Sequence, residues 1–388
     1  MTTFQRFFLF TIFCFLLLTI GFAAGFIVNP QSVLNGQDFP ILNEAYNILK
    51  KNGLTPVAES PNLEYGMIRG MIQAYGDPYT IFVEPAQHEL ESNSLQGSFG
   101  GIGVRFGRDA ADQLILYPFS GSPARDAGIQ DGDRLLSVGE LSIKSDTPID
   151  TIQAALRGPV GTPVALTIAR PPDFEPVELS VKRAEFPLPS VAWHLEATEP
   201  RLGVVEVNMI SANTPSEILN AFQDLRNQGA TSFVLDLRDN GGGLLDAGID
   251  TARLFLKDGT IIQQRYRDKE VETYRVDKAG ELVDIPMAVL INENTASAAE
   301  IIAGALQASH RAQLIGSPSY GKDTIQLVFV LNDGSSLHVT TAHWWVPGLE
   351  PPIGESGLQP NILLEGENDP NSADAALQAA KQLLFGSN

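Results

Sequence analysis

A single cysteine, Cys14, in 388 residues excludes an internal disulfide and any thiolate-held metal cluster. Histidine is almost as scarce. The five histidines, His88, His194, His310, His338 and His343, include no HExxH pattern and no close ligand pair. His338 and His343 are five apart, an odd spacing that predicts opposite faces of a strand. Neither a metal site nor a cofactor is expected. Positive charge is also in short supply. The chain sets 26 lysines and arginines against 46 aspartates and glutamates, and its formal net charge of −20 repels nucleic-acid phosphates and anionic lipid headgroups. Nucleic acid is thereby excluded as a main partner. Low-complexity tracts and long internal repeats are absent, and one long apolar run near the start has no successor.

What is present is ordinary globular usage, 44% hydrophobic and 19% charged, far from the signature of disorder. At roughly 150 residues per domain the length predicts two or three domains. Residues 7–28 carry no charge. As a helix at about 1.5 Å per residue that run spans roughly 33 Å, the thickness of a bilayer core. Arg6, the one early positive charge, would hold the extreme N-terminus inside and send the rest across. Gly21, Ala23, Ala24 and Gly25 suit cleavage, but the run is longer than a cleaved signal's, so an uncleaved anchor is expected over a removed signal. Either way the body is expected outside the cytoplasm, on the periplasmic or extracellular side.

Helical periodicity marks Ile41, Leu42, Ala45, Tyr46, Ile48 and Leu49, and again Met67, Ile68, Met71, Ile72 and Tyr75, predicting a small helical cap over residues 30–94. From Gly97 the texture becomes short β-type runs at 102–106, 113–118, 134–138, 164–168 and 177–182. Two helices interrupt them, at Ser122-Pro123-Ala124 and over 147–156, which describes a small, partly open barrel. After Phe186-Pro187-Leu188-Pro189, strands alternate with helices: strands 202–207, 232–237 and 287–291, helices 214–227, 244–255 and 297–309. Strands 324–331 and 337–346 and a helix over 374–384 follow. Such βαβ order predicts a mainly parallel sheet.

In open α/β sheets reactive groups sit on loops just past the strand ends. Two junctions fit. In Asp236-Leu237-Arg238-Asp239-Asn240-Gly241-Gly242-Gly243 a strand runs into three glycines, which can turn free N–H groups toward an anion or serve simply as a tight turn. In Asn294-Thr295-Ala296-Ser297-Ala298-Ala299-Glu300, Ser297 opens an apolar helix whose positive dipole end and Ala298 amide suit a developing oxyanion. Ser297 and Glu300 also fit an S-x-x-E capping box, a purely structural role. A nucleophilic serine needs a base. Lys322, at a glycine turn entering a strand, can serve if burial keeps its amine neutral; otherwise it is a solvated lysine. Strand alternation places Lys322, Thr324 and Gln326 on one face and Asp323 on the other.

The ordered motifs resemble those of the C-terminal processing peptidases, or tail-specific proteases, from about residue 42 to residue 364. They are Gly76-Asp77-Pro78-Tyr79-Thr80, Gly100-Gly101-Ile102-Gly103-Val104, Ser122-Pro123-Ala124 with Ala127-Gly128-Ile129 and Gly132-Asp133, Arg157-Gly158-Pro159-Val160-Gly161-Thr162, Asp236-Leu237-Arg238 with Asn240, Thr295-Ala296-Ser297-Ala298, and Gly321-Lys322 with Gln326. The resemblance implies an α/β multidomain chain: a membrane or signal segment (1–29), the helical region (30–94), a PDZ domain (95–184), a crotonase/Clp-like serine protease core (188–365) and a C-terminal tail and helix (366–388). It implies Ser297 as nucleophile, Lys322 as general base and Gln326 as the residue aligning the amine, with the amides of Gly242 and Ala298 as oxyanion hole. Gly100, Gly101, Ile102, Gly103 and Val104 would bind a peptide C-terminus beside an open strand edge. Arg157 would relay tail occupancy to the protease core unless it is, as arginine more often is, a solvated surface residue. Two positions depart from the family pattern: Asp323 stands where glycine is usual, and Ala299 where a small polar residue is usual. Substrates are then protein or peptide tails, apolar rather than acidic, and a homo-oligomer is an open expectation. Rival readings are an inactive PDZ scaffold on a degenerate protease core, a Ser-His-Asp hydrolase using His310 or His343, and a crotonase-like acyl transferase using the oxyanion hole alone.

Overall fold

A computed structural model of the chain describes residues 39–109, 112–364 and 374–386. The expected membrane segment at residues 7–28 lies outside them. Among the described residues no helix is long and apolar enough to cross a membrane. The chain divides into two units, one ending at Gly70 and one beginning at Met71. In the first, the helix Pro40–Asn52 begins with proline in its first turn and ends with Lys50 and Lys51, which complement the dipole. A second helix, Asn62–Tyr75, contains the division point.

In the second unit an antiparallel sheet has the strand order Val104–Arg108, Leu114–Pro118, Asp133–Val138, Pro163–Arg170, Glu175–Lys182. Its core is Leu116, Ile129, Ile152, Leu166, Ile168 and Val181, all buried. Ser122 caps the short helix Pro123–Asp126 by accepting from the Arg125 amide at 3.2 Å. The helix Ile149–Leu156 ends on Arg183, whose guanidinium donates to the Leu156 and Ala155 carbonyls that the helix leaves unpaired. Among the described residues Val104–Arg108 is an edge strand, paired only with Leu114–Pro118. The turn before it is tied down. Gly100 and Gly101 belong to the strand Ser98–Gly101, which pairs with Ala184–Pro187.

The larger core is a six-stranded sheet in the order Val191–Leu195, Leu202–Val207, Ser232–Asp236, Met287–Ile291, Gln313–Gly316, Ile362–Leu363, parallel except at its first pair. Side chains alternate between its two faces, and both are covered. Val205, Phe233, Leu235, Val289 and Leu314 meet the helices Thr214–Asn227, Leu245–Phe255 and Ala298–Ala308. Leu202, Val204, Val234, Leu290 and Ile315 meet Ala376 and Ala380 of the helix Ala375–Phe385. Phe222 stacks on Phe233 at 4.6 Å and meets Phe255 edge-on at 5.5 Å. The strands Thr324–Val330 and Ser336–Trp345 do not extend the parallel sheet. They form a separate antiparallel sheet with Ile81–Val83, Thr260–Tyr266 and Glu272–Arg275.

Most long elements fall where the periodicity predicts them, with Thr214–Asn227 and Met287–Ile291 matching end for end. The helix Pro85–Gln96 escapes the sequence reading because it buries no residue and carries no apolar stripe. The strands Gln313–Gly316 and Glu272–Arg275 are too short to show alternation. One expectation is corrected. The register between Thr324–Val330 and Ser336–Trp345 slips between Ile325 and Gln326, so His343 pairs with Thr324 and His338 with Val328. The extra residue cancels the odd spacing and leaves the two histidines on one face.

Phe222 fills the centre of the aromatic cluster without measurable exposure. Replacing it with alanine is expected to cost about 3–5 kcal/mol in urea unfolding with the m-value unchanged. A loss below about 1 kcal/mol would contradict the packing described.

Candidate active site

Adjacent parallel strands deliver two loops side by side, one after Ser232–Asp236 and one after Met287–Ile291. They are stitched together where they meet. The Ala296 amide donates to the Asn240 carbonyl at 2.9 Å, and Thr295 Oγ1 to the Leu237 carbonyl at 2.8 Å. Gly242 comes so close to Ser297 that a Cβ on it would lie 2.8 Å from the serine Cβ, and its φ of 101° is a glycine conformation. Arg238 anchors the first loop through a double contact to Asp236 (3.0 and 2.6 Å) and another to Asp374 (3.0 and 2.8 Å), the N-cap of the last helix.

Ser297 stands at the start of the helix Ala298–Ala308 with φ 54° and ψ −119°, a left-handed conformation that costs a serine on the order of 1–3 kcal/mol. Its amide is held by Glu300 Oε2 at 2.8 Å. The hydroxyl approaches the Glu300 amide without a well-formed bond to it, so the capping box is completed mainly from the glutamate side. The Ala298 amide has no acceptor among the described residues.

Glu300 does more than cap. It is fully buried, and its carboxylate accepts from Ser319 Oγ (2.6 Å), the Gly321 amide (2.7 Å) and the Lys322 amide (3.0 Å) besides Ser297. One carboxylate therefore fixes the serine turn against the lysine turn. Burial pushes its pKa above the usual carboxylate range, while the four donors pull it back. The sequence shows only the S-x-x-E half of this arrangement, because the lysine loop follows some twenty residues later.

The Lys322 amine is half-buried and donates to Gln326 Oε1 at 2.6 Å. Gln326 in turn donates from Nε2 to the Tyr79 carbonyl, and the Tyr79 ring centroid lies 5.4 Å from the amine. Burial pushes the Lys322 pKa below the ordinary lysine value, against the pull of the Glu300 and Asp77 carboxylates. Asp323 turns elsewhere, its Oδ2 lying 3.4 Å from His343 Nδ1. No hydrogen bond joins the amine to the Ser297 hydroxyl in this structure.

The Gly242 amide departs from the role expected of it. It donates to Asn240 Oδ1 at 2.9 Å, and Asn240 is itself locked by its Nδ2 on the Val207 carbonyl at 2.7 Å. That N–H is occupied within its own loop, leaving the Ala298 amide as the open donor beside Ser297. His310 is exposed beyond the far end of the serine helix, whose 11 residues span about 16 Å. His343 is exposed on Ser336–Trp345, the strand paired with the one that follows Lys322. Neither histidine is brought to the serine.

The expected tail-binding turn is split. Gly100 and Gly101 are taken into the pairing with Ala184–Pro187, while Ile102, Gly103 and Val104 lead into the open strand edge. Arg157 lies along the Phe99 ring at 4.2 Å, and burial lowers its pKa against the pull of Glu89.

The model of peptidase family S41 matches residues 201–364, and a PDZ domain model matches residues 117–170. A carboxyl-terminal-processing protease of Synechocystis is 35% identical over 332 residues, 83% of this chain and 77% of that protein. The carboxy-terminal processing protease CtpA of Bacillus subtilis is 33% identical over 341 residues, 87% and 72% of the two chains. A solved structure, the photosystem II D1 C-terminal processing protease, is 28% identical with a TM-score of 0.47, covering 91% of this chain and 92% of that one.

Glu300→Gln tests the clamp with almost no change in shape. An amide must turn its NH2 toward two of the four donors, so the variant is expected to lose about 1–3 kcal/mol of stability and at least about a hundredfold in activity (~2.7 kcal/mol). Unfolding curves and initial rates check this, and a near-wild-type variant would show that the four donors do not depend on an anion.

Proposed function

The chain belongs to the carboxyl-terminal processing proteases of peptidase family S41 and is a serine-type peptidase carrying a PDZ domain, and from that premise we propose that it cleaves proteins near their C-termini through a Ser297-Lys322 acyl-enzyme. The observation that carries the reading is the half-buried Lys322 amine, held by Gln326 at 2.6 Å on a loop that Glu300 ties to Ser297. A neutral amine takes the Ser297 proton as Oγ attacks the scissile carbonyl. The negative oxygen so formed is met by the Ala298 amide. The Gly242 amide joins it when the peptide turns away from Asn240. Collapse of the tetrahedral intermediate breaks the C–N bond, and the Lys322 ammonium returns its proton to the leaving amine. Water then attacks the acyl-enzyme with Lys322 again as base, which releases the acid and restores Ser297.

The edge strand Val104–Arg108 supports recognition of the substrate tail as an added strand, with the Ile102, Gly103 and Val104 amides turned to its carboxylate and Gly100 and Gly101 shaping the turn. Apolar tails suit this site better than acidic ones, given the net charge of −20. The uncharged run at 7–28 supports an anchor that holds the protease body on the extracytoplasmic face. Arg157, between the helix Ile149–Leu156 and the next strand, is the proposed relay of tail occupancy.

A fragment from Asn29 onward is expected to degrade a reporter protein with an apolar tail. Ser297→Ala and Lys322→Ala each abolish this, and a chelator leaves it intact. Cleavage that survives Lys322→Ala but is lost on replacing His310 or His343 would favour a histidine base. No cleavage of any tail by the wild type would favour a tail-binding scaffold.

A further inference from the structure

The stretch Gly76-Asp77-Pro78-Tyr79-Thr80, to which the reaction above gives no task, lies against the amine. Tyr79 meets Lys322 in two ways. Its ring centroid is 5.4 Å from Nζ, and its carbonyl accepts from Gln326 Nε2. The second contact governs the amide. A glutamine side chain has one donor end and one acceptor end, so with Nε2 engaged by Tyr79 only Oε1 is left to face the amine. Oε1 takes one N–H of the amine and leaves the lone pair of its neutral form pointing elsewhere. A flipped amide would offer its NH2 to that same lone pair and compete with the serine proton for it.

The loop is braced for this task. Asp77 accepts from Thr80 Oγ1 at 2.5 Å and from the Tyr79 amide at 3.3 Å. Thr80 Oγ1 accepts from the Thr340 amide at 3.2 Å, and Thr340 is the strand partner of Gln326. The strand Ile81–Val83 then pairs with Ser336–Trp345. Tyr79 is thus held in register with the strand pair that carries the glutamine.

We propose that Tyr79 is a positioning residue for proton transfer: its carbonyl sets the Gln326 amide, and its ring keeps water from the Lys322 amine. The inference rests on the Ser-Lys reading above. The charged groups facing the amine are Glu300 from the serine helix and Asp77 from the same loop as Tyr79, both of which favour the ammonium. His338 faces it from the paired strand. Tyr320 and Asp323, on the lysine loop, face the Tyr79 phenol.

The test compares Tyr79→Ala, Tyr79→Phe and Lys322→Ala in the same protein. The probe is the rate of Ser297 labelling by a fluorophosphonate from about pH 6 to about pH 11, with steady-state cleavage of the apolar-tailed reporter alongside. Opening the amine to water favours the ammonium. Tyr79→Ala is therefore expected to move the acidic limb up by about one pH unit, to lose about tenfold at neutral pH through kcat rather than KM, and to recover at alkaline pH. Tyr79→Phe keeps the limb in place. The ring face also attracts a cation, so loss of that attraction alone would move the limb down. A limb that moves down, or a loss of the same size at every pH, overturns the inference. If Tyr79→Ala does not fold, Tyr79→Thr carries the same expectation. Lys322→Ala that still labels and cleaves removes the parent reading. An inert Lys322→Ala with an unmoved Tyr79→Ala limb removes only the role of the Tyr79 ring, since each variant keeps the backbone carbonyl that accepts from Gln326.

Discussion

The buried carboxylate of Glu300 is the constraint on which the site depends. A lone ionised carboxylate inside a protein costs several kcal/mol after relaxation. Four donors converge on this one, from Ser319, Gly321, Lys322 and Ser297. Hydrogen bonds to a charged group are worth about 1.5–3 kcal/mol each, so four of them offset much of that cost, although burial still holds the pKa above the usual carboxylate range. The result is rigid coupling. Three of the donors belong to the lysine loop and one to the serine turn, so neither loop moves without the other. The same bond to the Ser297 amide helps hold the serine in its left-handed conformation, a strain that an unsupported turn would relax.

The fold supplies the neighbours that make such a clamp useful. Parallel strands place the glycine loop and the serine loop next to each other, and the antiparallel sheet brings Lys322 and Gln326 under the turn at Tyr79. Water is kept off the amine from one side, and its orientation is set from another. The occupied Gly242 amide and the unclosed Ser297–Lys322 pair belong together: in this arrangement the groups are assembled but not engaged. On the proposed reading, engagement requires the Gly242 peptide to turn away from Asn240 and the Lys322 amine to reach the Ser297 hydroxyl.

Much of this is legible in the sequence, and the limits are physical. Helices with an apolar stripe and strands buried on both faces announce themselves, as Thr214–Asn227 and Met287–Ile291 do. A polar helix such as Pro85–Gln96 has no stripe to read. At the site, the glycine run, Ser297 and Lys322 stand out by residue type and junction. The rest is tertiary. Glu300 reads as an ordinary helix cap because three of its four partners lie on another loop, and Tyr79 lies 247 residues from the Gln326 it orients. The bulge that aligns His338 with His343 leaves no trace in their spacing. The engagement of Gly242 by Asn240 is equally invisible, since the motif read for its glycines has the asparagine two residues away as silent company.

The central claim is that Lys322 is a base because it is held neutral. The direct measurement is a pH titration of its side-chain nitrogen by NMR in the protein labelled at lysine, assigned by comparison with Lys322→Ala. The account predicts a pKa clearly below the ordinary value of about 10.4, in the direction that burial drives it. An amine that titrates at or above that ordinary value would contradict it, because the serine would then face an ammonium with no lone pair to accept its proton.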